Sequence, residues 1–192
     1  MESIIKFGGH DWRVLDKKDG SMLIMADRVL ELRSFHVCSP GVEKFPAIKW
    51  NDCEARKHLN SEFLNRFSAE EKARIINSHV KTCENAWYKA SAGGDTHDYV
   101  FLLSIEEVVK YLGDGKDVAN KVGKKEGVLN DDFNVKRRAV SLDDEAKTWW
   151  LRTPGEGDNF AALVNAEGGL AIRGMAVTLD DAGLRPAMWI KE

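Results

Sequence analysis

Two short aromatic runs constrain the fold of this 192-residue chain more than any other feature. The first is Trp-Trp-Leu-Arg-Thr-Pro-Gly at 149–155, and the second is Gly-Leu-Arg-Pro-Ala-Met-Trp-Ile at 183–190. Both are rich in residues that favour strands, and glycines punctuate the sequence between them. We therefore predict a β-rich end of the chain, with strands at 149–152, 160–164, 170–172 and 176–178 and a last one reaching residue 190.

Composition is that of an ordinary globular protein, with 43% hydrophobic and 31% charged residues. A chain of this length buries roughly 70% of its unfolded surface, so a core can form without a metal or disulfide. We expect a single domain over residues 1–192. The formal net charge of −3 argues against nucleic acid as a partner. No apolar run approaches membrane-spanning length, so we expect no membrane insertion.

Cysteines and histidines show no metal-binding or disulfide pattern. The cysteines at 38, 53 and 83 are odd in number and form no C-x-x-C pair, which favours reduced thiols. The histidines form no H-E-x-x-H motif. We therefore predict no metal and no cofactor. Reduced thiols, and a start unlike a signal peptide, predict a cytoplasmic protein, or an extracellular one if the gene carries an export signal before this sequence.

The first half of the chain predicts a strand meander followed by short helices. Apolar runs of strand length lie at 4–7, 12–15, 22–25 and 99–103. Asn51 or Asp52 is expected to cap a helix. The apolar stripe of that helix consists of residues 55, 59, 63 and 67. Capping boxes at 68–71 and 104–107 predict two further helices.

Two segments are predicted to be irregular. Residues 34–48 contain two prolines and read as loop. Residues 113–147 are polar and rich in Gly, Lys and Asp, without a sustained period. Loops of this length inside a compact domain are usually functional or mobile. We predict an excursion that contains at most one short helix.

Four blocks of the sequence resemble, in order, a bacterial family catalogued as a domain of unknown function. The blocks lie at 7–15, 50–63, 100–104 and in the two aromatic runs, where Thr153 and Leu184 replace the family's usual Ser and Val. The ending is similar, more loosely, to C-type-lectin-like domains and to formylglycine-generating enzymes, in which both chain ends pair in one sheet. The resemblance implies an α+β, C-type-lectin-like fold of small twisted antiparallel sheets with two or three packed helices. It implies no activity.

Candidate ligand-binding residues lie in and after the strand at 149–152. Trp149 could stack on a sugar or base, although one member of the Trp149–Trp150 pair must point into the core. Arg152 could hold an anion, or could instead be tied to a buried carboxylate or to carbonyls, as we also expect for Arg185. Trp189 is predicted to be core. The predicted ligand-binding residues are Trp149, Arg152, Glu156, Asp158, Asn159 and Arg173.

Three functions stay open at this point. The one we favour is a non-catalytic recognition domain that binds a glycan or a protein through its C-terminal loops, because these loops are polar and no catalytic groups are paired. In the acidic loop 155–159 a plain turn is the simpler alternative. The second function is an enzyme that uses His97 or Asp98 beside the 113–147 excursion. The third is a scaffold module that contacts a partner chain through the helix face at 59–63.

Overall fold

The computed structural model describes residues 3–37, 47–113 and 127–192. Cys38 and parts of both predicted irregular segments lie outside the described residues. The strands are β1 (Ile4–Phe7), β2 (His10–Lys18), β3 (Ser21–Ala26), β4 (Glu31–Leu32), β5 (Ser78–Val80), β6 (Thr96–Asp98), β7 (Trp149–Pro154), β8 (Phe160–Val164), β9 (Leu170–Ala176), β10 (Gly183–Leu184) and β11 (Ala187–Lys191). The α-helices are α1 (Glu54–His58), α2 (Ala69–Arg74), α3 (Ile105–Leu112) and α4 (Asn134–Arg137).

The mostly antiparallel sheets and few short helices make the protein α+β, as predicted. One cluster of buried apolar side chains includes residues of both larger sheets and of the helices between them. The described part of the chain has four α-helices where two or three were expected. None of these helices is long and apolar enough to cross a membrane.

The first sheet joins the beginning of the chain to residues 187–191. Its order is β1-β2-β3-β11, and every neighbouring pair is antiparallel. Asp19 and Gly20 form the turn between β2 and β3, both with positive φ, 50° and 73°. On the far side of β3, Ile190 lies opposite Met22. The expectation that the chain ends share a sheet is therefore confirmed for β11.

The second sheet has the order β4-β10-β7-β8-β9, and it contains one parallel pair, β10 with β7. Its central strand β7 carries Trp149 and Trp150, so this aromatic run does not join the sheet of the first strands. All six residues of β7 are buried, because both faces of the strand are covered. Both tryptophans are therefore core residues, where one had been expected. The predicted strand at 176–178 contributes only Ala176, the last residue of β9.

The apolar run at 99–103 does not form a strand. Only Phe101 pairs, in an isolated antiparallel bridge with Ala187. Neighbouring backbone groups are satisfied by a side chain instead: the Asn60 amide nitrogen donates to the Val100 carbonyl at 2.8 Å, and its oxygen accepts from the Tyr99 amide at 2.8 Å. Residues 100–103 are buried although they form no strand, because Phe101 bonds to Ala187 of the first sheet and the Leu103 carbonyl accepts from Arg152 of the second.

The helical stripe at 55, 59, 63 and 67 is buried as predicted, but the helix is irregular. A 3-10 turn (Trp50–Asp52) precedes α1, and a π-helical turn (Leu59–Phe63) follows it. The predicted caps Asn51 and Asp52 are wrong. The cap is Cys53, whose sulfur accepts from the Arg56 amide at 3.4 Å. Trp50 is fully buried and forms this 3-10 turn together with the two residues that follow it, so α1 begins only at Glu54.

Both predicted capping boxes are confirmed. Ser68 and Glu71 close the start of α2 by reciprocal side-chain to backbone bonds of 3.1 and 2.8 Å. Ser104 and Glu107 do the same for α3, at 3.2 and 2.9 Å. These bonds satisfy backbone donors that a helix leaves unpaired at its first turn.

Candidate functional site

Trp149 and Arg152, two of the predicted ligand-binding residues, lie inside the protein. Trp149 is fully buried; its indole N–H donates to the Arg137 carbonyl at 3.1 Å, and the Arg185 guanidinium lies 5.0 Å from the ring centre. Arg152 is 3% exposed, and its guanidinium donates to both carboxylate oxygens of Glu107. Neither side chain is open to a ligand, so both leave the candidate site. The structural alternative for Arg152 is confirmed.

The other four predicted residues meet at the surface beside β8 and β9. The Arg173 Nε donates to a Glu156 carboxylate oxygen at 2.6 Å, and this hydrogen bond raises the pKa of Arg173. Asp158 accepts from the Lys49 ammonium at 2.7 Å, and the Asn159 carbonyl accepts from the amide of Val177, the residue that follows β9, at 3.0 Å. The charges of this loop are thus paired. The Lys49 and Glu156 side chains are only 12% and 28% exposed, so a ligand at this loop would have to displace partly buried ion pairs.

Asp98, the candidate acid of the enzyme hypothesis, is a structural residue. Its carboxylate is fully buried. It accepts from the Trp50 indole N–H at 2.9 Å, the Thr96 hydroxyl at 2.6 Å and the Arg56 Nε at 2.7 Å. These donors occupy both carboxylate oxygens inside the core, which leaves no route for a substrate.

His97 lies on the exposed face of the β5–β6 hairpin. Its ring is 5.3 Å from that of His79, which in turn lies 3.1 Å from an Asp95 carboxylate oxygen. The side chains of His79 and Asp95 are 57% and 42% exposed. Among the described residues no group of three or more Cys, His, Asp and Glu side chains could hold a metal ion.

Cys53 is not available as a nucleophile. Burial raises the pKa of its thiol to about 12. Because the thiolate is the nucleophilic form, a thiol with this pKa is unreactive at neutral pH.

A second surface, which the sequence did not predict, lies where 27–32 meets 138–147. Three depressions adjoin here. The middle one, of about 210 Å³, shares Leu30 and Leu142 with a neighbour of about 170 Å³ and shares Arg28 with a second neighbour, also of about 170 Å³. Residues 9–13 complete the rim. We call this region, formed by 9–13, 27–32 and 138–147, the Leu142 surface.

A small turn presents Leu142. The Ser141 amide donates to the Glu145 carbonyl at 2.8 Å, and Val140 and Ala146 form an antiparallel bridge. This turn is tied to the segment between β3 and β4, because the Arg28 guanidinium donates to the Ser141 carbonyl at 2.9 Å. Leu142 stands at the tip of the turn with 55% of its surface exposed.

One end of the Leu142 surface is basic. The Arg13 guanidinium donates to Asp27 at 2.5 Å. The Arg28 guanidinium donates to Asp144 at 2.5 Å, and this hydrogen bond raises the pKa of Arg28. Arg138 differs from both. Its Nε donates to a backbone carbonyl at 3.1 Å, and within the described ranges it pairs with no carboxylate.

The opposite end is acidic and contains an unused hydroxyl. Glu31, Asp143 and Glu145 line this depression. The Glu31 carboxylate is already bound by Arg66 and His58, and a hydrogen bond from Lys147 lowers the pKa of Glu145. Ser141 lines it as well; this residue is 8% exposed, and its hydroxyl has no hydrogen-bond partner. Four other buried side-chain atoms of the described residues also lack a partner, so this hydroxyl is one place where a water molecule or a ligand atom could bind.

Comparison with known proteins connects this structure to a family. Residues 19–192 match the family model described as a domain of unknown function, DUF6273. The chain belongs to this family. Neither a curated protein nor a solved structure matches it. The expected membership of a domain-of-unknown-function family is thus confirmed. The family description assigns no activity to this DUF6273 domain.

One sequence feature of this DUF6273 domain pointed to part of the Leu142 surface. It occupies the second half of the 113–147 excursion, which was predicted to be functional or mobile. Leu142 is an apolar residue between polar neighbours there, and such a residue reads equally well as a core anchor. Only the fold shows that it is exposed and that two arginines distant in sequence, Arg13 and Arg28, belong to the same surface.

Trp189 also departs from its prediction. It was expected in the core, but it is only partly buried and lines a shallow cleft of about 270 Å³. Because Trp189 lies on β11, which borders the first sheet, one part of its ring faces the solvent beside the β2–β3 turn.

Proposed function

We propose that this protein is a non-catalytic recognition domain that binds an extended segment of a partner protein on the Leu142 surface. The observation that carries the proposal is the arrangement of exposed Leu142 between a basic depression and an acidic one. Such a pattern suits a polypeptide, which can offer an apolar side chain and both kinds of charge within a few residues.

Charge complementarity defines the partner segment. An acidic side chain would pair with Arg138, whose guanidinium has no carboxylate partner in the described residues. An apolar side chain would cover Leu142 and Leu32, which are 55% and 51% exposed. A basic side chain would lie beside Asp143. Apolar contact supplies most of the affinity, while the opposite charges set the direction of the segment.

The neighbouring sheet edge supports an extended conformation of the ligand. β4 is the last strand of the second sheet on this side, and its residues Glu31 and Leu32 line the acidic depression. An edge strand offers backbone hydrogen-bonding groups to a peptide that adds as another strand.

A C-type-lectin-like fold is part of the proposal. It is supported by the pairing of β11 with β3, which closes a small antiparallel sheet with the two ends of the chain. In such an architecture a long irregular segment supplies the ligand-binding surface, and here that segment would be the second half of the 113–147 excursion.

Selection from a random peptide library on the immobilised protein tests the proposal. We expect enriched peptides to carry an apolar residue between an acidic and a basic one. Burying a whole Leu side chain contributes about 1.5–3 kcal/mol. Since 55% of Leu142 is still exposed, Leu142→Ala should cost about 1–1.5 kcal/mol, which weakens binding of a selected peptide about 5- to 12-fold. Arg138→Glu should weaken it and reverse the preference for the acidic residue.

Val135→Ala is the matched control, because Val135 is 68% exposed on α4 but does not line the three depressions. It should leave the affinity unchanged, as measured by fluorescence anisotropy. Enrichment that persists unaltered on the Leu142→Ala/Arg138→Glu double variant would contradict the proposal, and so would a library from which nothing is enriched.

A second candidate site is the loop with Glu156, Asp158 and Asn159, whose surface oxygens suit the hydroxyls of a glycan. Replacing these three residues with alanine should remove only those glycan-array signals that depend on this loop. Unchanged binding would remove this loop as a ligand site.

A further inference from the structure

The Trp189 cleft is a pocket between the first sheet and the segment before β5. Its floor is Trp189 on β11, one wall is the β2–β3 turn, and the other wall is the chain at 76–78. The lining residues are Lys18, Asp19, Ser21, Ile76, Ser78 and Trp189.

The indole of Trp189 differs from those of the buried tryptophans. Trp12, Trp50, Trp149 and Trp150 are each fully buried, and each donates its indole N–H to an acceptor 2.8–3.1 Å away. Trp189 is partly exposed, and its N–H makes no hydrogen bond within the part of the chain that the structure describes. An apolar ring face and an open donor are thus available together.

The backbone holds this platform in place. Trp189 lies opposite Leu23 in the β3–β11 ladder, and its carbonyl accepts from the Ile76 amide at 2.8 Å. The adjacent Ile190 forms a bridge with Ile75 on the same side. Because the backbone of Trp189 is held before binding, only the side-chain freedom of the indole is lost when a ligand stacks on it.

The rim is polar without net charge. Lys18 and Asp19 lie 4.0 Å apart with side chains 74% and 87% exposed, so their charges oppose each other. Ser21 and Ser78 add two hydroxyls, the second of which donates to the Ile76 carbonyl at 3.1 Å and keeps its acceptor capacity.

We propose that the Trp189 cleft binds one ring of a neutral glycan. The carbon–hydrogen face of a sugar ring would stack on the indole, and its hydroxyls would reach the rim donors and acceptors. The rim carries no net charge and the whole chain has a net charge of −3, which disfavours a ligand that bears phosphate groups. A neutral sugar therefore fits the cleft better than a nucleic-acid base does. This site is independent of the Leu142 surface.

A glycan array of neutral mono- and oligosaccharides, followed by titration of the best ligand, tests the inference. The tryptophan fluorescence of the wild type should change on titration. Trp189→Ala should weaken binding about 5- to 100-fold, in line with the loss of one aromatic stacking contact. Trp189→Phe should retain part of the affinity while losing the fluorescence change.

Lys18→Ala is a second variant of the cleft, in case Trp189→Ala does not fold. Lys18 is largely exposed, so its replacement should not disturb folding. It should reduce affinity a few-fold with unchanged stability. Leu142→Ala, and the alanine triple variant of the 156–159 loop, should bind the glycan as the wild type does. The inference is overturned if the wild type binds no neutral glycan, if Trp189→Ala and Lys18→Ala bind normally, or if only single-stranded nucleic acid changes the fluorescence.

Discussion

Replacing Asp98 with asparagine removes a buried negative charge that holds three donors together. One carboxylate oxygen accepts from Trp50 and Thr96, and the other accepts from Arg56. Trp50 and Thr96 are 0% and 6% exposed, so water cannot replace the lost acceptor. The asparagine side chain has only one acceptor oxygen, and its amide nitrogen would face a donor.

The expected cost follows from the exposure of the partners. Breaking a buried ion pair by removing one partner costs about 3–5 kcal/mol, mainly because the remaining charge is left uncompensated. The Arg56 side chain is 25% exposed and keeps a bond to the Asn51 carbonyl at 2.9 Å, so it can be partly resolvated. We therefore expect a loss near the lower limit, about 3 kcal/mol. With a urea slope of about 1–3 kcal/mol per molar, the midpoint should fall by about 1–3 M.

Urea unfolding followed by circular dichroism measures this change. Asp95→Asn, three positions earlier, is the matched control. Asp95 is 42% exposed, and its partners are exposed His79 and the Thr82 amide, from which an asparagine oxygen can also accept. It should change the free energy of unfolding by no more than about 0.5 kcal/mol. Equal stability of the two variants would refute the structural role of Asp98 and return it to the list of candidate acids.

Two further predictions concern backbone strain and pH. Gly168 and Gly20 both have positive φ, but a Cβ on Gly168 would lie 1.9 Å from the Asn134 carbonyl oxygen while one on Gly20 meets nothing within 4 Å. Gly20→Ala should therefore cost about 1–2 kcal/mol in urea unfolding and Gly168→Ala clearly more, and equal losses would refute the close approach. The pKa of Cys53 is raised to about 12 from 9.0, so above pH 9 the unfolded state loses this proton while the folded state keeps it. Unfolding free energies measured from pH 9 to 11 should fall in the wild type, relative to Cys53→Ala, by about 1.4 kcal/mol per pH unit, and parallel curves would contradict the buried thiol.

Local chemistry made much of the fold predictable. Asp19 and Gly20 specify a turn whatever surrounds them, and Ser68 and Ser104 start helices through bonds to residues three positions later. Interactions of this kind need only neighbours in sequence. They locate elements well, and they do not say which elements become neighbours in space.

The errors arise where tertiary contacts decide. Trp149 and Trp189 have similar sequence surroundings, yet the first lies in the central strand of a covered sheet and the second beside a cleft. Arg152 looked like an anion site until Glu107, far away in sequence, proved to be its partner. The exposure of Leu142 likewise depends on how its turn leans on Arg28. Such distinctions require the fold itself.

The ladder between β3 and β11 has a consequence for how the protein is made. Residues 22–26 of β3 are buried in the finished structure, and one of their two neighbouring strands is formed by residues 187–191. On the ribosome, a nascent chain that already displays the β2–β3 hairpin must wait for almost all remaining residues before that side is covered. Until then the unpaired edge of β3 can join a strand of another chain, and a chaperone that shields it would favour correct folding.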